Sequence, residues 1–434
     1  MVIHRKHILP PKDLDLPRTI HDDRHKIENV QVPIITVSAS FRSDIAKSLG
    51  EHTREKGELA FSRAHFSMAI AVYEQAKESG LSCWLVDPVN YIGSEGWASL
   101  EKIEYVGQLI ARNPILKKAK DILDSFIRSK SPLTKHIEEP LGYVTARAVN
   151  PIISLHYEAG NILAKNNKKV LQVVTDPHVR PQYLLQAERK NISFAVFDEH
   201  TKKQFLDLAI ELKKEVSNDR VVVTGPPVDP RIIEKRKGKN ADGYKKRGLR
   251  LAITTSGLGT NYGEIKQALE SLLPVLTERK MEILLYASTH LDFYKMFYEL
   301  GAKNSLPIGG ENSKMPLRII YDKSIIAANQ KLIDSAFGWA DGFITKPSGD
   351  MAYDAVAAGC FLLTLSPWGE WEEKIFDIFT RLGIAKAIDA GNFVEQLDRL
   401  EQENWFSRAI NNALNIDDIF LNGAKNIVDL QQKL

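Results

Sequence analysis

The sequence predicts an α/β protein built from two parallel-sheet domains, and three observations predict it. Short β-branched runs alternate with longer amphipathic stretches through the first half: VPIITVSAS from Val32, CWLVDP (83–88), VLQVVTDP (170–177), ISFAVFD (192–198) and RVVVTGPPV (220–228). The alternation starts afresh with LRLAITTSG (249–257), MEILLYAS (281–288), LRIIYD (317–322), GFITKP (342–347) and CFLLTLS (360–366). Strands that are apolar on both faces and separated by helices make a parallel sheet with helices on either side. The third observation is size: 434 residues, 44% hydrophobic and 26% charged, exceed one ordinary core and divide into two.

Residues 1–30 mix Pro, His and balanced charge without periodicity and read as a surface tail or arm. The first domain then spans 31–230 and the second 249–434. Between them, 231–248 is rich in Lys, Arg and Gly, the composition of a solvated linker or of a segment that meets anionic lipid or substrate. From 393 onward, Phe393, Leu397, Leu400, Phe406, Ile410 and Leu414 recur at helical spacing, so a helix pair finishes the second domain or crosses back to the first. A net charge of +3 is too mild to call for nucleic acid. Cys83 and Cys360 each sit in an apolar stretch, which suggests no disulfide framework or cysteine metal site and fits a reducing, cytoplasmic compartment. No run of eighteen apolar residues and no signal-peptide pattern occurs, so the expectation is a soluble protein or one peripheral to a membrane. Residues 113–136 combine Ile, Leu and Phe with Lys and Arg at helical spacing, which suits either a membrane-surface helix or a core helix with a solvated face.

Ligands of open parallel sheets bind beyond the carboxyl ends of the strands, where helix N-termini present free N–H groups. Three motifs lie in such loops. Thr255-Ser256-Gly257-Leu258-Gly259-Thr260 follows a strand and precedes a helix; its glycines let backbone amides approach a diphosphate, and they equally suit an ordinary turn that needs positive φ. In GFITKPSGDMAYDAVAAGC, a Pro-Ser-Gly turn opens a helix that carries Asp354 in its first two turns, where a carboxylate can accept both hydroxyls of a ribose or simply favour the helix dipole. In the first half, His65 near a helix start is placed to take a proton from an acceptor hydroxyl or to cap the helix, and His178 in VTDPHVRPQY is a second candidate.

The segment 340–359, ADGFITKPSGDMAYDAVAAG, resembles the donor-binding motif of family 28 glycosyltransferases and their relatives, the galactolipid and diacylglycerol glucosyltransferases and the N-acetylglucosamine transferase of peptidoglycan synthesis. That motif reads A-D-L-x-I-x-K-P-G-G-x-T-x-x-E-A-x-x-x-G. The match is gapless at Ala340, Asp341, Ile344, Lys346, Pro347, Gly349, Ala355 and Gly359. VVTDPHVRPQY, RVVVTGPPVDPRI and TTSGLGT resemble further family segments in the same order, so the similarity spans about residues 60–390.

The resemblance implies a GT-B fold, two Rossmann-like domains facing across a cleft, and an inverting, metal-independent glycosyltransferase. A UDP-sugar would be its substrate, with no cofactor, and a lipid or other hydroxyl compound its acceptor, bringing the enzyme to the inner face of the cell membrane. Donor binding would fall to Ser256, Gly257, Gly259, Thr260, Tyr321, Lys346, Ser348, Gly349, Asp350 and Asp354, with Glu370 and Glu372 at the sugar hydroxyls. His65 would be the base, with Asp176 and His178 on the acceptor side. This chain departs from the motif at Asp354, a glutamate in the family, at Ser348 and at Met351. Ser62-Arg63-Ala64-His65 keeps the family's histidine and none of its glycines. Two other readings share the architecture: a UDP-N-acetylglucosamine 2-epimerase-like enzyme, which needs further carboxylates in the cleft, and a non-catalytic sugar-nucleotide-binding protein.

Overall fold

The computed structural model describes residues 17–38, 62–92, 133–255, 257 and 259–434. The first half runs α1 (Pro17–Asn29), β1 (Val32–Ile35), α2 (Arg63–Glu78), β2 (Cys83–Val86), α3 (Leu133–Val144), β3 (Ile152–Ser154), α4 (Tyr157–Lys165), β4 (Val170–Val173), β5 (Ile192–Val196), α5 (Glu199–Glu211) and β6 (Val221–Val223). Its six strands pair in parallel in the order β2-β1-β3-β4-β5-β6. Two short helices follow, α6 (Pro230–Glu234) and α7 (Gly243–Arg247). The second half then gives β7 (Arg250–Thr254), α8 (Tyr262–Leu272), β8 (Glu282–Ser288), α9 (Leu291–Lys303), β9 (Ile308–Gly309), β10 (Leu317–Tyr321), α10 (Ile325–Ser335), β11 (Gly342–Thr345), α11 (Met351–Ala357), β12 (Phe361–Thr364), α12 (Glu370–Arg381) and β13 (Ala385–Ala387). This sheet is parallel too, ordered β13-β12-β11-β7-β8-β10-β9. The chain closes with α13 (Phe393–Gln402), α14 (Trp405–Leu414) and α15 (Gly423–Gln431).

Central strands such as β4, β11 and β12 are buried at every position, as parallel strands covered on both faces must be. One hydrophobic cluster runs through both halves, from Ile34, Met68 and Phe197 to Tyr353 and Phe379. The rings of Phe197 and Tyr353 meet edge-on at 5.4 Å, so the two halves share a packed contact. The helix pair patterned on Phe393 to Leu414 finishes the second domain, and a third helix crosses back to the first. Phe393, Leu397, Leu400, Phe406 and Ile410 of α13 and α14 pack on the second sheet, whereas α15 returns to the first half. There Gln431 Nε2 donates to the carbonyls of Gln31 (3.0 Å) and Pro151 (2.7 Å), and Asn426 Nδ2 to that of Thr224 (2.9 Å).

Two expectations need correcting. Residues 17–29 are a helix packed on the first domain, not a surface tail. Ile20 and Ile27 are buried seven residues apart, and buried Asp23 accepts from Trp84 Nε1 (3.1 Å) and the Tyr91 hydroxyl. Two apolar anchors and a buried carboxylate are too sparse to register as periodicity. The basic segment is likewise no loose tether. Arg236 donates to the carbonyls of Ala357 (2.9 Å) and Leu414 (2.5 Å), and Arg247 forms a paired contact with Asp341 at 2.6 and 2.8 Å. Its cations find carbonyls and a carboxylate of the second half, partners that composition does not reveal. Most of 113–136, the candidate membrane-surface helix, lies outside the described residues, as do residues 1–16. Among the described residues no helix is long and apolar enough to cross a membrane.

Candidate functional site in the cleft

The two glycine turns lie side by side. β7 and β11 are neighbours, and Thr254 Oγ1 donates to Thr345 Oγ1 at their carboxyl ends (2.8 Å), so the turns after both strands open together. Gly259 has φ +63°, a conformation that favours glycine, and Thr260 beside it is buried. Thr255 is buried and its hydroxyl has no hydrogen-bond partner among the described residues. Ser256 lies outside the described residues. In the second turn Ser348 Oγ donates to Asp350 Oδ1 (2.6 Å), and Lys346 Nζ binds Glu372 Oε1 at 2.5 Å. Glu372 is buried and also accepts from the Trp368 amide (2.7 Å), whereas Glu370 is exposed at the start of α12. Lys346 and Glu372 are thus already paired with each other. Asp354, in the middle of α11, is buried. Desolvation first, then the charges of Asp350 and Asp229, push its carboxyl well above the usual range. Tyr321, at the end of β10, packs its ring 5.1 Å from that of Tyr294.

Both turns meet the first half. A Cβ on Gly257 would stand 3.7 Å from the Arg63 backbone nitrogen, and the Arg63 guanidinium donates to Thr289 Oγ1, just after β8. A Cβ on Gly349 would fall 2.7 Å from the Thr175 carbonyl oxygen and 2.8 Å from Asp176 Oδ1. No side chain fits there without separating the halves, which accounts for the glycine.

The opposing wall consists of titratable side chains. His65 lies in the first turn of α2, with Nδ1 hydrogen-bonded to Ser62 Oγ (2.5 Å) and Nε2 to Thr175 Oγ1 (3.0 Å). Thr175 Oγ1 continues to the Tyr183 hydroxyl at 3.0 Å. Burial, aided by the Arg180 guanidinium, lowers the His65 pKa to about 3, so the ring is neutral at pH 7. His156, 4.9 Å from it centroid to centroid, is held low by burial, His65 and Arg180. Asp176 is pushed up to about 6. Burial is the chief cause, opposed by Arg180 3.6 Å away and by Lys346, and reinforced by Glu372 and Asp350. Arg180 also stacks over Trp371, 4.7 Å from its centroid, so first-half and second-half groups interleave.

His65, Asp176, Lys346, Gly349, Asp350 and Glu372 therefore gather in one place, and His178 stands beside it. His178 lines a pocket of about 590 Å³ with Pro181, His200, Lys203 and Gln204 of the first half and Lys374 of α12. Lys374 Nζ donates to Gln204 Oε1 across the two halves (3.2 Å). Sequence reasoning missed Arg63, His156, Thr175, Arg180 and Tyr183. His156 had a signal, since it follows a strand and starts a helix, as His65 does. Arg180 lay inside a quoted motif, its charge unused.

No sequence-family model matches the chain, and no curated protein sequence matches it. Solved structures do. A Listeria monocytogenes protein assigned as a UDP-N-acetylglucosamine 2-epimerase is 13% identical, covers 91% of this chain and 94% of its own, and superposes with a TM-score of 0.52. Os79 from O. sativa, solved in complex with UDP, is 9% identical over 92% of this chain and 99% of its own, with a TM-score of 0.50. MurG from Acinetobacter baumannii is 11% identical over 93% and 100%, with a TM-score of 0.45. At such identities the likeness is one of fold: the chain has the GT-B architecture, two parallel-sheet domains facing across a cleft.

Proposed function

We propose that the protein is a glycosyltransferase that moves a sugar from a UDP-sugar, bound by the second half, to a hydroxyl acceptor that enters from the first. One observation carries this reading. The glycine turns after β7 and β11 open together against the titratable wall of His65, Asp176 and Arg180, so a diphosphate on the turns would hold its sugar beside a proton acceptor. Backbone amides at Gly257, Gly259, Thr260 and Gly349 would receive the diphosphate, joined by the Thr255 hydroxyl, which has no partner among the described residues. Asp354 would meet the ribose, and the segment after Tyr321 the base.

For the base at the acceptor hydroxyl, Asp176 is better matched than His65. A carboxylate with a pKa near 6 is ionised at pH 7 and still takes up a proton, whereas an imidazole near 3 with both nitrogens hydrogen-bonded is a weak acceptor. His65 would then position Asp176 through Thr175. The pocket beside His178 is where we place the acceptor, and its two histidines and two lysines suit a polar acceptor group. A thermal-shift screen of UDP-, GDP- and dTDP-sugars tests the donor assignment: UDP compounds should raise Tm, and stabilisation by none of the three would overturn it.

The carboxylates gathered in the cleft, Asp176, Asp350 and Glu372, favour a second reading, the epimerase, which needs such groups to move a proton on the sugar itself. Incubation with UDP-N-acetylglucosamine alone separates the two. Interconversion without an acceptor would replace transfer with epimerisation.

A further inference from the structure

Lys239, in the basic segment between the domains, and Cys360, at the start of β12, make a contact that the function above does not use. Lys239 Nζ lies 2.7 Å from Cys360 Sγ and 2.8 Å from the Ala340 carbonyl oxygen, and Sγ is 3.3 Å from that same oxygen. Amine, thiol and carbonyl form a closed triangle at the edge of the core, with Cys360 fully buried. An amine and a thiol that merely share a hydrogen bond keep farther apart, because sulfur is large. The separation is too long for a direct S–N bond and suits a single bridging atom. Among the described residues the amine's hydrogen-bond partners are the Ala340 carbonyl and the Cys360 thiol.

From this geometry we infer that Lys239 and Cys360 are an oxidation site that closes into a covalent N–O–S bridge. The oxidant is a peroxide. One hydrogen peroxide transfers oxygen to the thiol: an S–O bond forms, the O–O bond breaks, and water leaves a sulfenic acid. A second peroxide withdraws two further electrons from the sulfenic acid and the amine: an N–O bond forms, the second O–O bond breaks, and two waters leave. In sum, one thiol, one amine and two peroxides give the bridge and three waters. Two equivalents of a dithiol return the four electrons and release thiol, amine and one water.

The bridge would act on the frame of the donor site. Cys360 follows Gly359, the end of the motif that carries Asp354, and the Lys239 side chain already lies over Gly359, 3.5 Å from where a Cβ would stand. Oxidation would fasten the interdomain segment to that point, which in the reduced protein is held only by contacts such as Arg236 to the Ala357 carbonyl.

The test uses the full chain in a Cys83→Ser background, treated with hydrogen peroxide and read by mass spectrometry under denaturing conditions. The expected product is about 14 Da heavier, one oxygen gained and two hydrogens lost, and dithiothreitol reverses it. Digestion should give one cross-linked species joining the segments around 239 and 360. Lys239→Arg, which keeps the cation, should lose the cross-link and gain only whole oxygens on Cys360; Cys360→Ser should lose both. Whole-oxygen additions alone, the same with Lys239 and with Arg at that position, would overturn the proposal. A folded reduced protein in both variants, checked by circular dichroism, keeps the comparison valid.

Discussion

The two walls of the cleft are made of different material. On the second-half side the two turns present backbone and small residues: Gly257, Gly259 and Gly349, with the Thr255 hydroxyl at the end of β7. On the first-half side they are side chains whose ionisation the fold alters, His65 and His156 downward and Asp176 upward. A wall of amides holds a fixed negative charge without moving a proton, whereas Asp176, pushed up to about 6 among neutral imidazoles, exchanges one near neutral pH. The contrast teaches a division of labour, with donor binding on one side and proton transfer on the other.

The most forceful way to break that division is Asp176→Asn. It should cut kcat about 100-fold or more, the usual worth of a positioned base. In the parent enzyme the rate should rise as pH passes about 6, since the base works only when ionised. A profile flat from pH 5 to 8 would instead point to His65, whose pKa lies near 3. Stability should run the other way. The folded pKa of Asp176 is above its ordinary 3.8, so its contribution is complete below that value and is lost as pH climbs through about 6. In the Asn variant that part of the pH dependence of Tm should disappear.

Next in size is Gly349→Ala, which sets a methyl group against the Thr175 carbonyl and Asp176 and should cost about 1–3 kcal/mol in denaturant unfolding, together with much of the activity. Thr255→Val should weaken UDP binding about 10-fold by calorimetry while leaving Tm unchanged or higher, because a hydroxyl without a partner is an expense to the free protein and an asset to the complex. Smallest is Glu370→Ala, an exposed site at which donor affinity should change less than about twofold.

The amino-acid sequence shows much of one wall and little of the other. Buried parallel strands and glycine turns are local patterns, so β7, β11 and the segment from Lys346 to Gly359 are legible without a structure. The proton-handling wall is assembled from distant pieces. His65 meets Thr175 across 110 positions, and Arg180 stacks on Trp371 of the other half. No spacing rule encodes such encounters. The same holds for the basic segment, whose charges read as solvated because Asp341 and the carbonyls of Ala340, Ala357 and Leu414 are far away in the chain. His65 was visible as a histidine at a helix start; its low pKa comes from burial, which only the fold reveals.

The division of labour is tested most directly by titrating UDP calorimetrically into three proteins: the parent, Asp176→Asn and Asp354→Asn. The account predicts that the parent and Asp176→Asn bind alike, within about twofold, and that Asp354→Asn binds about 10-fold more weakly through loss of its hydrogen bonds to the ribose. Equal binding by all three, or a loss confined to Asp176→Asn, would contradict it.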